Sequence, residues 1–138
     1  MRSELLYVPI IRPMQNERKM RIGVVGPCGA GKSSVVSGLK SHGYHIRHIA
    51  QEHSYVPDMW RRLTNPDILI YLDVSFENTI VRRKLDWTYE EYSEQLYRLR
   101  HARQHADLYI DTNPLVLDDV LKSVELFIQT VASSLENK

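Results

Sequence analysis

Hydrophobic and polar positions along the chain form four short apolar runs separated by stretches with helical spacing. "RIGVVG" (Arg21 to Gly26) is rich in β-branched residues and reads as a buried strand. "YHIRHIA" (Tyr44 to Ala50), "PDILIYLD" (Pro66 to Asp73) and "HADLYID" (His105 to Asp111) read as further strands. After the first run, "KSSVVSGLKSHG" places Val35, Val36 and Leu39 on one face and predicts a helix that ends near Gly43. Ser75 is a candidate N-cap for a second helix, which carries the adjacent arginines of "VRRK". Thr88 and Glu91 have the spacing of a capping box, and they start a long helix with Tyr89, Tyr92, Leu96 and Leu99 as its packing stripe and "HARQH" toward its end. Leu117, Val120, Leu121, Val124, Phe127, Ile128 and Val131 predict a last helix, with "SSLENK" expected to fray.

With 138 residues, a single domain is the natural reading, assigned to residues 20–138. Residues 1–19 are set apart as an N-terminal extension, either poorly ordered or adding "LLYVPII" as an edge strand, because Met20 stands directly before "RIGVVG". "ELLYVPII" is short, broken by Pro9 and without a small-residue cleavage site, so no signal peptide is expected. No apolar run approaches the ~20 residues of a membrane span, so no membrane partner is expected. A net charge of +1 argues against nucleic acid as a partner, and basic clusters such as "MWRR" and "VRRK" are ordinary solvated faces unless a site claims them. Cys28 is the only cysteine, which excludes an intrachain disulfide and a Cys-rich metal site and suits a cytoplasmic location.

The chemistry is concentrated in "GPCGAGKS". Gly26, Gly31, Lys32 and Ser33 satisfy G-x-x-x-x-G-K-[ST], and the motif lies between a strand and a helix as its mechanism requires. Glycines let successive backbone N–H groups turn toward an oxyanion, and the helix N-terminus adds partial positive charge at the same point. Gly26, Pro27, Cys28, Gly29, Ala30, Gly31, Lys32, Ser33 and Ser34 are the expected nucleotide contacts. Lys32 would reach the β- and γ-phosphates, and the Ser33 hydroxyl would ligate Mg²⁺. Cys28 is expected to matter through its amide; a redox role is disfavoured because no second thiol is present to close a disulfide.

A GTPase switch is disfavoured, since the chain has no D-x-x-G and "TNPD" lacks the lysine of a guanine-reading motif. The loop, the stretch Pro66 to Lys84 and the stretch His105 to Val131 together resemble the P-loop kinases of small metabolites and nucleotides, the nucleotide and shikimate kinase-like group. The resemblance spans residues 21–131, and the phosphate loop is its specific part. It implies the P-loop NTPase fold, a three-layer α/β/α sandwich around a parallel sheet of four or five strands. It also implies ATP and Mg²⁺ as cofactors and transfer of the γ-phosphoryl group to a small acceptor, which the residues do not identify. By the same resemblance, Arg82 and Arg83 stand where lid arginines neutralise the transferring phosphate, and Asn113 and Pro114 stand at the turn that borders the adenine.

One β–α unit of that group is missing or compressed between the first helix and "ILIYLD", in a region where acceptor pockets are usually built. Two acids compete to serve the metal. Asp73 ends an apolar strand, and Glu52 follows the second strand, close to where shikimate kinase-like enzymes place a carboxylate. Glu52 is favoured, because ligands of open α/β sheets bind beyond the strands' carboxyl ends. "EHSYVPDMW" is either part of a small-molecule pocket or a surface loop pinned by Trp60. His42, His45 and His48 cannot converge on one metal by themselves, and His101 and His105 have no evident third ligand. The leading expectation is a Mg²⁺-dependent phosphotransferase with Lys32, Glu52, Arg82 and Arg83 as catalytic groups. The alternative is a nucleotide-binding sensor or partner module without transfer, and the short chain also leaves room for a homodimer whose neighbour completes the site.

Overall fold

The computed structural model describes residues 20–136. The expected extension, residues 1–19, lies outside them. In chain order the elements are β1 (Ile22–Val25), α1 (Lys32–Ser41), β2 (Ile46–His48), a 3₁₀ turn (Gln51–His53), α2 (Met59–Thr64), β3 (Ile68–Asp73), α3 (Phe76–Arg83), α4 (Tyr89–Arg98), α5 (Arg100–His105), β4 (Leu108–Asp111) and α6 (Leu117–Glu136). The four strands form one sheet in the order β2-β1-β3-β4. Every pairing is parallel, with Ile22 opposite both Ile46 and Ile68, and Ile70 opposite Leu108.

The two-residue period of a strand sorts the apolar runs onto two faces. Ile22, Val24, Ile68, Ile70 and Leu72 pack on one side with Val35, Val36 and Leu39 of α1 and Val120, Leu121, Val124 and Ile128 of α6. Val25, Leu69 and Tyr71 pack on the other with Trp60 of α2, Leu99, and Ala102 of α5. Burial on both faces is why β1 and β3 read as unbroken apolar runs. The architecture is therefore α/β with helices on both sides of a parallel sheet. Among the described residues, no helix is long and apolar enough to cross a membrane.

Local signals placed most elements well. Ser75 caps α3 by accepting from the Asn78 N–H, and Thr88 with Glu91 makes the full capping box of α4. The long helix expected after Thr88 is interrupted: Leu99, at φ −91° and ψ −3°, separates α4 from α5. Leu99 is fully buried beside Tyr71 and Ala102, so packing against the sheet sets where the helix breaks. Tyr89 is not part of the packing stripe; it is 58% exposed and meets the Phe76 ring edge-on. The strand expected over Tyr44 to Ala50 shortens to Ile46–His48, since β2 is at the edge of the sheet among the described residues and only Ile46 of its three residues is buried. The last helix continues through Ser133 and Ser134 to Glu136.

The short connection between α1 and β3 has a direct topological consequence. Only one strand follows α1 before β3, and it pairs immediately with β1. Whatever follows β2 therefore lies beside the glycine loop that follows β1.

Candidate functional site

The loop between β1 and α1 passes close beneath β3. A Cβ on Gly26 would lie inside any allowed contact distance of the Leu72 carbonyl oxygen, so only glycine lets the chain through. At the other end, Gly31 starts α1 at φ 95°, no side chain caps the helix, and the space beside Gly31 is open. This leaves the positive end of α1 facing outward.

Lys32 is 6% exposed, and its Nζ donates to the Gly26 carbonyl at 2.6 Å and the Pro27 carbonyl at 3.1 Å. A third oxygen, Glu52 Oε2, stands 3.0 Å away. Glu52 comes from the 3₁₀ turn after β2, and its side chain is only 3% exposed. Lys32 and Glu52 thus form a buried ion pair inside the loop. Glu52 Oε1, also buried, has no hydrogen-bond partner among the described residues. The Nε2 atoms of His48 and His53 lie 3.9 Å and 3.8 Å from Glu52 Oε2. Burial holds the His48 imidazole below its ordinary pKa, and the Lys32 charge adds to that, so His48 favours its neutral form.

The loop is also held from α4. The Cys28 N–H donates to Gln95 Oε1 at 3.0 Å, and Gln95 Nε2 points to Cys28 Sγ at 3.2 Å. Sequence reasoning missed Gln95. A signal was present: Gln95 is a polar residue on the same helical face as Tyr92 and Leu99. Replacing Gln95 with leucine leaves the part-buried Cys28 amide without its acceptor, which costs about 1 kcal/mol. Urea denaturation should read that loss, and hydrogen exchange at Cys28 should accelerate in the variant.

Two cavities flank the loop and share Gly31. One, of about 240 Å³, is walled by Cys28, Gly29, Gly31, Lys32, Ser33, His48, Glu52, His53, Arg83 and Leu85. The other, of about 200 Å³, is walled by Ala30, Gly31, Ser34, Val35, Arg82, Thr112, Leu115, Val116, Leu117 and Val120. The paired arginines therefore divide. Arg83 faces the cleft that holds Lys32 and Glu52. Arg82 clamps the turn after β4, donating to Thr112 Oγ1 at 3.0 Å, to the Thr112 carbonyl and to the Asn113 carbonyl at 3.3 Å.

Other expected site residues stand apart. Asn113 is consumed by the turn, accepting from the Ser75 N–H at 2.9 Å and from Asn78 Nδ2 at 2.7 Å, and Pro114 is exposed; neither walls the second cavity. Thr112, Leu115 and Val116 do so instead. Asp73 accepts from Tyr109 Oη and from the Val74 N–H and does not wall the cleft, so Glu52 is the acid brought to Lys32. Trp60 pins the segment after Glu52: its indole donates to His101 Nδ1 at 3.1 Å, and its own N–H is held by Gln51 Oε1 at 2.8 Å. Tyr55 is exposed beneath the Arg98 guanidinium, so of "EHSYVPDMW" only Glu52 and His53 wall the cleft.

Asp73 belongs to a tyrosine cluster at the ends of β3 and β4. Tyr71 and Tyr109 stack at 5.8 Å, with Arg103 over both rings, and the Tyr92 hydroxyl donates to the Val74 carbonyl at 2.7 Å. Burial, then the Asp73 charge, pushes Tyr92 up to about 12; burial, then the hydrogen bond to Asp73, pushes Tyr109 up to about 12. Burial also raises Tyr71. Above the ordinary value of 10.0 the unfolded chain releases these phenolic protons while the folded protein keeps them. The contribution is therefore complete below 10.0 and fades as pH rises toward about 12. Urea denaturation repeated through this alkaline range should show stability falling with pH, and Tyr92→Phe should flatten the slope.

Compared with known proteins, the chain matches no family model and no curated protein.

Proposed function

We propose that the chain binds ATP with Mg²⁺ on the Gly26–Ser34 loop and transfers the γ-phosphoryl group to a small acceptor held in the cleft beside Glu52. The observation that carries this reading is the buried Lys32–Glu52 pair. Lys32 is held by two carbonyls of its own loop and by one carboxylate, at 2.6 Å, 3.1 Å and 3.0 Å. An ammonium so placed is poised to exchange these oxygens for those of a phosphate at the uncapped end of α1. The Ser33 hydroxyl and Glu52 are the residues that would hold Mg²⁺, which when bound neutralises charge on the phosphates. In the transfer, the acceptor hydroxyl gives its proton to Glu52 as its oxygen bonds to the γ-phosphorus, and the bond from that phosphorus to the β–γ bridging oxygen breaks to release ADP. Arg83 stabilises charge on the moving group, and the cavity walled by Thr112, Leu115 and Val116 takes the base. The lone thiol fits a cytoplasmic setting.

A second reading, nucleotide binding without transfer, is favoured by the short segment between β2 and β3, which Trp60 and Gln51 tie down where an acceptor pocket would otherwise extend. One experiment separates the two: calorimetric titration of ATP, ADP and GTP with Mg²⁺ into wild type and Arg83→Ala, with a metabolite-phosphorylation screen on the same samples. Phosphotransfer predicts ATP binding in both proteins and turnover lowered by roughly 10²–10³-fold in Arg83→Ala. ATP binding with no turnover on any acceptor leaves the binding module, and a wild type that binds no nucleotide overturns both.

A further inference from the structure

The same cleft sets a thiol and an imidazole beside Glu52, two donors that neither phosphate binding nor Mg²⁺ requires. Cys28 Sγ, His53 Nε2 and a Glu52 carboxylate oxygen all lie within 4.8 Å of one another. Cys28 Sγ is 4.0 Å from His53 Nε2, and His53 Nε2 is 3.8 Å from Glu52 Oε2. We propose that Cys28, Glu52 and His53 form a binding site for a divalent transition metal of the zinc type, with His48 at its edge.

Three features carry the proposal. The first is distance. Bond lengths of about 2.3 Å to sulfur and about 2.0–2.2 Å to nitrogen or oxygen put tetrahedral neighbours roughly 3.3–3.6 Å apart, so the separations of His53 from Cys28 and from Glu52 need to close by about 0.5 Å, and that between Cys28 and Glu52 by at most about 1.5 Å. The His53 side chain is 60% exposed and has room to make that movement. The second is donor chemistry. Thiolate and imidazole select zinc-like ions, whereas Mg²⁺ takes oxygen donors and keeps its waters, so the two ions would share Glu52 and differ in their other donors, sulfur and imidazole here against the Ser33 hydroxyl and phosphate oxygens. The third is Glu52 itself. Its side chain is buried to 3% exposure and walls the cleft; its Oε2, shared with Lys32, is the oxygen 3.8 Å from His53, and its Oε1 accepts no hydrogen bond among the described residues. A carboxylate left partly unsatisfied at that depth gains from a second cation.

The surroundings support the sulfur as a ligand. Gln95 Nε2 stands 3.2 Å from Sγ, and Gln95 Oε1 accepts from the Cys28 N–H at 3.0 Å, which fixes the sulfur beside Glu52 and His53. His48 Nε2, 3.9 Å from Glu52 Oε2, walls the same cleft at the edge of the set. Lys32 shares Oε2, and it keeps its contacts to the Gly26 and Pro27 carbonyls when the metal takes a share of Glu52. None of this depends on whether the loop takes ATP, so the inference stands or fails separately from the proposed function.

The test uses the full chain with Cys28 reduced and no nucleotide present. Because Cys28 is the only cysteine, its alkylation by iodoacetamide reports this site alone. Zn²⁺ is expected to slow alkylation by roughly 10-fold or more, and His53→Ala should remove most of that protection. Co²⁺ should produce a thiolate-to-metal charge-transfer band that Zn²⁺ displaces and Cys28→Ser abolishes, while His101→Ala leaves the band intact. If wild type shows no charge-transfer band with Co²⁺ and an unchanged alkylation rate with Zn²⁺, the proposal is wrong. Co²⁺ d–d absorption left unchanged in both Cys28→Ser and His53→Ala would place the metal elsewhere and overturn it equally.

Discussion

Replacing Lys32 with alanine is expected to weaken the fold and nucleotide binding together, and replacing Glu52 as well should separate the two effects. Lys32 and Glu52 are both nearly fully buried, 3.0 Å apart. Removing the ammonium strands the carboxylate and leaves the Gly26 and Pro27 carbonyls without their donor. Breaking a buried pair in this way costs about 3–5 kcal/mol, which urea denaturation without nucleotide will read directly. In Lys32→Ala/Glu52→Gln no uncompensated charge remains, so much of that stability should return. ATP affinity should not return with it. If the loop takes ATP as proposed, the charged hydrogen bonds Lys32 would make to phosphate are worth roughly 1.5–3 kcal/mol, or about 10- to 100-fold in affinity, and glutamine cannot supply them. A double variant that regained both stability and affinity would remove Lys32 from the phosphate site. A single variant as stable as wild type would mean that the buried pair contributes nothing to the fold.

The second large effect is steric. In Gly26→Ala the new methyl group would collide with the Leu72 carbonyl oxygen, a backbone atom inside a parallel sheet that cannot move aside without disturbing β3. We expect a loss of about 4 kcal/mol or more, or a protein that does not accumulate folded. Gly31→Ala is the informative comparison. It lies in the same loop with nothing within 4 Å of the added carbon, and its cost is the backbone strain of φ 95°, about 1–3 kcal/mol. Denaturant midpoints for the two variants should differ accordingly. If the two losses were equal, crowding under β3 would not be what requires glycine at position 26.

The parts of the protein legible in the sequence are those decided by neighbours along the chain. Ser75 and Thr88 cap their helices because the groups they bond lie three residues ahead. The apolar runs around Ile22 and Ile70 announce strands buried on both faces, and the stripe from Leu117 announces a helix with one buried side. The glycine–lysine motif is likewise a local pattern, and it lies between strand and helix as read. Where those signals were overridden, a distant partner was responsible: Leu99 packs against the sheet and breaks a helix whose sequence would have continued, and Tyr89 turns outward to Phe76.

The site itself was only half legible, for the same reason. That Glu52, and not Asp73, meets Lys32 follows from β2 pairing directly with β1, a choice of sheet order that no local pattern encodes. That Arg83 faces the cleft while Arg82 clamps Thr112 depends on how α3 is rotated against the turn after β4. Gln95 reaches Cys28 across 67 positions of sequence, and Tyr109 reaches Asp73 across 36. The sequence by itself determined the elements, their caps and the loop with its lysine, because hydrogen bonding over a few residues and burial at a fixed period set them. Only the tertiary structure decided which carboxylate, arginine and imidazole share that loop, because those partners are set by the order of strands and the packing of helices on their two faces.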